Sequence, residues 1–293
     1  MKILYTSDLH GKTDFYREII TYSKDEKIDT VILGGDLLPR RKHSLDSLKH
    51  QENFIEREIH TFVSELKNES KISVYLILGN NDWAATLPLF RELAEANLLF
   101  LLHDQKYNLT EDLAITGYPY IPPTPFSPKD FEKRDYKEDP PKCTSIHPVV
   151  STAGRIRLTD ELNYFAKRSS IQEDLIDLHR SINRERMIYV MHAPPHNTLL
   201  DQMDDGSHLG SKAIRDFIDI HQPYITLHGH IHESPAVTGT CWQKIGKTLS
   251  INSGQIAKRL SAVIFDPNRP AETLFHTRLG IQKTISRLCQ ATP

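Results

Sequence analysis

The strongest constraint on this chain is a rhythm of short apolar runs separated by amphipathic stretches. The runs at 3–6, 30–33, 74–78, 113–116, 187–191 and 225–227 are each bounded by Gly, Asp, Asn or His and read as buried strands. Between the second and third, about 44–66, Phe54, Ile55, Ile59, Phe62, Val63 and Leu66 recur at helical spacing. Residues 87–96 read as a shorter helix. Residues 211–220 read as another, with Ala213, Ile214, Phe217 and Ile218 on one face. Such alternation implies an α/β fold. Toward the end, 249–252, 261–265 and 273–276 read as successive strands with no helix between them, which calls for a mixed sheet or two packed sheets.

Composition narrows the function. With 293 residues the chain has room for one or two domains, and a core that buries roughly 75% of the unfolded surface. Apolar residues at 39% and charged ones at 25% argue against disorder. Lys plus Arg number 36 against 38 for Asp plus Glu, a net charge of −2, which does not suit gripping a nucleic acid by bulk charge. Cys143, Cys241 and Cys289 are far apart and form no CxxC, so neither a disulfide framework nor a thiolate zinc site is expected, and a reducing compartment fits. No apolar run reaches the length of a membrane span, and the opening Met1-Lys-Ile-Leu-Tyr5 meets Asp8 before a signal-peptide core can form. A cytoplasmic location is expected.

One segment departs from the rhythm. Pro119, Pro122, Pro123, Pro125, Pro128, Pro140, Pro141 and Pro148 crowd into thirty residues, and a long loop of this kind is usually functional or mobile. After it, Ser170-Ile-Gln-Glu173 forms a capping box that opens a helix to about 182. We read residues 1–293 as one domain with an elaboration at about 119–185 covering the site.

Five of the strand runs end in potential metal ligands: Asp8-Leu-His10, Gly34-Gly-Asp36, Gly79-Asn80-Asn81-Asp82, His192 and His228-Gly-His230-Ile-His232. In α/β sheets the carboxyl ends of the strands converge on one edge, where ligands bind. Any one of these pieces alone is weak, since an Asp-x-His at a strand end is more often a satisfied polar pair. In Gly229-His-Ile-His232, alternate residues on extended chain put both imidazoles on one side. Mixed carboxylate and imidazole donors suit Mn²⁺, Fe or Zn²⁺ and disfavour Ca²⁺.

In this order the pieces resemble the calcineurin-like metallophosphoesterase superfamily, whose motifs run DxH, GD, GNH(D/E), H and GHxH. The resemblance covers 8–232 and implies a four-layer αββα sandwich of two mixed sheets with a dinuclear metal site. By that resemblance Asp8, His10 and His232 would hold one ion, Asn80, His192 and His230 the other, and Asp36 would bridge them. Manganese is the expected ion, with iron, zinc and nickel as alternatives. Two cations about 3.5–4 Å apart make hydroxide available near neutral pH for in-line attack on phosphorus. Glycines beside the ligands would let backbone approach the metals, or are ordinary turn glycines.

The chain departs from the family at Asn81, where a histidine is usual and is thought to assist the leaving group, oriented by the acidic residue that here is Asp82. An amide donates a hydrogen bond but cannot deliver a proton at neutral pH, and general acid help is worth about 10²–10⁴-fold. A singly charged phosphodiester depends on that help less than a doubly charged monoester, so a diester preference is expected. His208, in Gly206-Ser-His-Leu-Gly-Ser211, is the candidate for replacing the missing acid, with a loop histidine of no catalytic role as the alternative. After Asp36 the chain lacks the GDxxDRG of serine/threonine phosphatases, and Pro39 stands where purple acid phosphatases need a tyrosine. A nuclease is disfavoured because no basic stripe is interleaved with aromatics. Arg40, Arg41, Lys42 and His43 are a solvated run or steer phosphate toward the site. The C-terminal Arg278, Leu279, Ile281, Lys283, Ile285, Arg287 and Leu288 are a surface tail or a dimer arm. The expectation is a phosphodiesterase acting on a small-molecule phosphoester, with a monoesterase, a nuclease and a non-catalytic metal-binding scaffold as alternatives, and a homo-oligomer possible.

Overall fold

Alternation along the strands decides the layering. The computed structural model describes residues 1–40, 46–103, 105–152, 154–180, 186–255 and 258–281. In chain order the strands are Ile3–Thr6 (β1), Thr30–Gly34 (β2), Ser73–Ile77 (β3), Phe100–Leu101 (β4), Lys106–Asn108 (β5), Ala114–Tyr118 (β6), Val149–Thr152 (β7) and Arg155–Leu158 (β8). Then follow Met187–Met191 (β9), Ile225–His228 (β10), Trp242–Ile245 (β11), Thr248–Asn252 (β12), Val263–Phe265 (β13), Phe275–His276 (β14) and Gly280–Ile281 (β15). Among the described residues one sheet has the order β15-β14-β13-β1-β2-β3-β4 and the other β11-β12-β10-β9-β6-β5. Strands β1 to β4 run parallel, as do β6, β9, β10 and β12, while β13, β11 and β5 pair antiparallel, so both sheets are mixed.

Ile3, Tyr5, Ile32, Tyr75 and Ile77 of the first sheet meet Ile115, Ile188, Val190, Ile225, Leu227 and Ile251 of the second in a shared core. The intervening residues of the first sheet, Leu4, Val31, Leu33, Val74 and Leu76, pack outward against Phe15, Ile19, Phe62, Val63 and Phe90. Those of the second, Met187, Tyr189 and Met191, pack against Ile171, Leu175, Ile214 and Phe217. Strands buried on both faces read as continuous apolar runs. The result is a four-layer αββα sandwich.

Local departures from the sequence reading have physical causes. The helix expected at 44–66 is two helices, Ser47–Phe54 and His60–Ser70, joined by a π-helical turn at Ile55–Ile59; residues 44 and 45 lie outside the described residues. The wider turn holds both Ile55 and Ile59 in the core. The region expected to be all strand after 249 carries a helical turn, Pro270–Thr273, between β13 and β14. Proline suits a first helical turn because its missing N–H has no partner there. The helix Thr13–Asp25 was not anticipated, nor was the β7–β8 hairpin or the helix Glu161–Ala166.

The capping box forms: Ser170 N–H donates to Glu173 Oε2 at 2.9 Å and Glu173 N–H to Ser170 Oγ at 3.2 Å. Its helix is described over Ile171–Arg180, and the expected end at 182 lies outside the described residues. Within 119–180 the chain is tied down by buried groups. Lys129 pairs with Glu132 at 2.9 Å and Glu161 at 3.3 Å, and Phe131 joins the first sheet's outer core. Asp135 caps the helix Lys212–His221, taking the N–H of Lys212 at 3.1 Å and of Ala213 at 3.3 Å. Of the C-terminal stretch, Lys283, Ile285, Arg287 and Leu288 lie outside the described residues, as does Cys289.

Candidate metal centre

Parallel order within each sheet sends the carboxyl ends of β1, β2 and β3 and those of β9 and β10 to one rim. Cross-sheet hydrogen bonds join the sheets there. Tyr5 OH donates to the His228 carbonyl at 2.7 Å, and His192 Nδ1 lies 2.8 Å from the Gly34 carbonyl. The backbone turns sharply at the rim. Asp8, His10, Asp36 and His230 hold φ of 60°, 46°, 53° and 64°, a left-handed conformation costly for residues with a Cβ and concentrated at functional sites. A Cβ on Gly79 would stand 2.3 Å from Asp36 Oδ1, and one on Gly229 2.5 Å from Asp8 Oδ2, so the close approach needs glycine at both positions.

The structure brings the seven predicted ligands together in two adjoining groups. Asp8, His10, Asp36 and His232 each offer an atom within 4.8 Å of the others. His232 Nε2 lies 3.0 Å from Asp8 Oδ1, 3.4 Å from His10 Nε2, and His10 Nε2 is 3.8 Å from Asp36 Oδ2. On the other side His192 Nε2 stands 3.2 Å from Asn80 Oδ1 and 3.4 Å from Asp36 Oδ1, with the His230 ring centroid 5.4 Å from its own. Asp36 thus turns one oxygen to each group. Two imidazole nitrogens facing each other beside two buried carboxylates fit a shared cation, and this oxygen–nitrogen donor set suits a divalent first-row metal.

The electrostatics agree. Burial works to raise the Asp8 carboxyl, but the His232 and His192 rings outweigh it and hold it at about 2. Asp36 is likewise drawn well below the usual carboxylate range, against its burial, by His192 and His10. His192, though buried, is lifted to about 9 by Asp36, whereas burial and the neighbouring His192 push His230 down to about 3. The carboxylates are ionised and demand positive charge, which a divalent cation can supply.

Asn81 and Asp82 take different parts. Asn81 donates from its backbone N–H to Asp36 Oδ1 at 2.8 Å and from its side-chain amide to Asp36 Oδ2. Asp82 accepts the N–H groups of Gly79 and Leu38 at 2.9 Å and of Leu37 at 3.2 Å, clamping the second and third motif loops to each other. Burial and the Asp36 charge push its carboxyl up to about 7. The described bonds of Asp82 thus run to backbone and not to the Asn81 side chain, contrary to the orienting role that the family resemblance implied.

Gln51 escaped the sequence reading. Its Nε2 donates to the Asn81 carbonyl and its Oε1 accepts the Trp83 N–H, both at 2.9 Å, so it holds the third motif loop. The available signal was a polar side chain three residues from both Leu48 and Phe54 on a buried helical face. His228, part of the fifth motif, turns Nδ1 to the carbonyls of Ala193 at 2.8 Å and Met191 at 3.1 Å, joining β10 to the end of β9. His208 Nδ1 lies 2.8 Å from Asp201 Oδ1. The Arg40 guanidinium sits 5.1 Å over the Phe126 ring, and Arg41, Lys42 and His43 lie outside the described residues.

Carboxylates, an amide and imidazoles thus converge on the rim of a four-layer sandwich. The sequence model of the calcineurin-like phosphoesterase family matches residues 1–234, and the chain belongs to that family. Its members are metal-dependent phosphoester hydrolases with a dimetal centre. An uncharacterised protein of Methanocaldococcus jannaschii, MJ1162, is 40% identical over 74 residues, which is 24% of this chain and 32% of that protein. The match therefore spans about a third of that relative's length. TT1561 of Thermus thermophilus shares the fold, with a TM-score of 0.57 and 14% identity over 96% of this chain and 99% of that one. GAP50 of Plasmodium, described as the anchor in the inner membrane complex, superposes at 0.51 with 10% identity over 97% and 89%. At these identities the likeness shows the fold alone. Among the described residues no helix is long and apolar enough to cross a membrane.

Proposed function

We propose that the chain is a phosphodiesterase acting on a small or medium phosphodiester. One ion is assigned to Asp8, His10 and His232, the other to Asn80, His192 and His230, with Asp36 between them and Mn²⁺ as the ion. Two such cations supply an acidified water and positive charge for the phosphate oxygens. The chain's own residues supply the rest. Asp36, pinned by both Asn81 donors, keeps its two oxygens aimed at the two groups, and Ser7 Oγ fixes Asp8 Oδ2 at 2.6 Å. Within the expected elaboration at about 119–185, residues 119–152 and 154–180 are proposed to cover the site and choose the substrate.

The observation that carries the diester reading is Asn81. Its amide is committed to Asp36 and has no proton to give, so nothing at this position helps neutralise a dianionic monoester. A monoanionic diester loses less by that. Mn²⁺-dependent hydrolysis of bis-p-nitrophenyl phosphate should exceed that of p-nitrophenyl phosphate in kcat/KM. Equal or better monoester turnover would overturn the diester reading.

A further inference from the structure

The loop after His192 crosses from one ligand-bearing strand end to the other. Its ends are pinned together where Ser211 N–H donates to the Pro194 carbonyl at 2.9 Å and His196 N–H to the Ser211 carbonyl at 3.0 Å. Its middle is held beside the His232 segment. Gln202 N–H donates to Ser234 Oγ at 3.2 Å, and Asn252 Nδ2 reaches the carbonyls of Leu200 at 2.8 Å and Ile231 at 3.1 Å. His208 pairs with Gln202 in an antiparallel bridge, which holds the His208 backbone to the part of the loop that reaches Ser234, two residues past His232.

Inside this loop Asp201 is fully buried. Its carboxylate accepts the N–H groups of Thr198 at 2.8 Å, Gly210 at 3.0 Å and Asn197 at 3.1 Å, the Thr198 hydroxyl at 3.2 Å, and His208 Nδ1 at 2.8 Å. Both carboxylate oxygens thus act as acceptors. With Asp201 Oδ1 accepting at 2.8 Å, His208 carries a proton on Nδ1 and Nε2 is free of that bond. The His208 side chain keeps 28% of its surface exposed, and His196 Nδ1, 3.6 Å from Asp201 Oδ2, is the other titratable neighbour of the carboxylate.

We infer that Asp201 is a positioning residue that holds His208 as the proton donor to the leaving oxygen, a role that rests on the phosphodiesterase reading. As water adds to phosphorus and the bond to the leaving oxygen breaks, the Nε2 proton of cationic His208 passes to that oxygen. The proton released by the water restores His208, so diester and water become monoester and alcohol. Asn81 gives the phosphate oxygens no proton, whereas His208 acts on the leaving group, so the two roles are separable.

The test is the dependence of kcat on leaving group across methyl aryl phosphodiesters from p-nitrophenol to phenol, with Mn²⁺ present. His208→Gln should steepen the dependence, losing about 10²-fold or more on the phenyl ester, within the range of general acid catalysis, and distinctly less on the p-nitrophenyl ester. Asp201→Asn should steepen it in the same direction with KM little changed. Nitrogen NMR of labelled histidine should show the His208 proton on Nδ1 in the wild type and redistributed in Asp201→Asn. A uniform loss across the series, or none, in His208→Gln overturns the proposal, as does a neutral wild-type ring whose single proton sits on Nε2. If Asp201→Asn fails to fold, the His208→Gln slope and the wild-type tautomer decide. Should the wild type cleave only monoesters, the diester reading falls, and the slope is read on p-nitrophenyl and phenyl phosphate.

Discussion

Single side chains at the rim answer to local hydrogen-bond demand. Leu78 follows β3 directly and its N–H needs an acceptor, which His103 Nε2 supplies at 2.9 Å while its ring packs edge-on against Phe131. Burial, with Arg91 adding to it, lowers His103 to about 3, so the folded protein needs the neutral ring. A folded pKa below the unfolded value near 6.5 contributes stability that is complete above that pH and is lost as pH falls toward 3. One proton contributes a slope of up to about 1.36 kcal/mol per pH unit. Urea midpoints should therefore fall more steeply between about pH 6.5 and 4.5 in the wild type than in His103→Gln, and parallel curves would refute the assignment. Nothing around His103 in the sequence announces this role, because its partner lies twenty-five residues away across a strand pairing. Asp8, His10 and Asp36 were legible because each stands just past an apolar run. Asp201 and Gln51 were not, since neither belongs to a motif.

At the level of elements, the proline-rich segment is tied to the turn that follows the third motif. Asp130 accepts the Ala84 N–H at 2.9 Å and the Ser151 N–H at 2.8 Å, and Ser151 Oγ in turn accepts the Ala85 N–H at 2.9 Å. This three-way tie fixes the turn Ala84–Thr86 that follows Asn80, Asn81 and Asp82. Asp130→Ala leaves the Ala84 and Ser151 N–H groups without their acceptor, at about 1–3 kcal/mol each. The variant should melt several degrees lower and bind Mn²⁺ to the same stoichiometry, readable by calorimetry and metal analysis. Loss of metal would show that the tie reaches the ligands themselves. Sequence showed the prolines and the Ser170 capping box. It did not show the β7–β8 hairpin, whose two four-residue strands are half-buried or exposed, or the buried Lys129, whose partners Glu132 and Glu161 come together only on folding.

For the molecule as a whole, the rim concentrates carboxylate charge and left-handed backbone where two sheets meet, and cations bound to the folded state alone would offset that charge. Mn²⁺ at about 100 times its dissociation constant would stabilise the protein by about 2.7 kcal/mol, a rise in Tm of roughly 4–5 °C for a chain of this size. Chelation should reverse the rise. In Asp36→Ala the response should largely vanish, because that carboxylate faces both groups. A full thermal response in that variant would remove Asp36 from the centre.

The strands, their doubly buried character and the order of the five motifs are properties of the sequence, because apolar periodicity and residue type act locally and survive without a partner. That was enough for an α/β fold with a mixed sheet or two packed sheets and, through the family resemblance the motifs carry, for the αββα class and the residues that converge. Which group holds Asn81, where Asp82 spends its hydrogen bonds, and how His208 is oriented were decided by the tertiary structure. Each depends on backbone donors and acceptors brought from distant segments, such as Gln51 beside Asn81 and Gly210 against Asp201. A buried polar group takes whatever partner the packing delivers, and packing is a property of the whole chain.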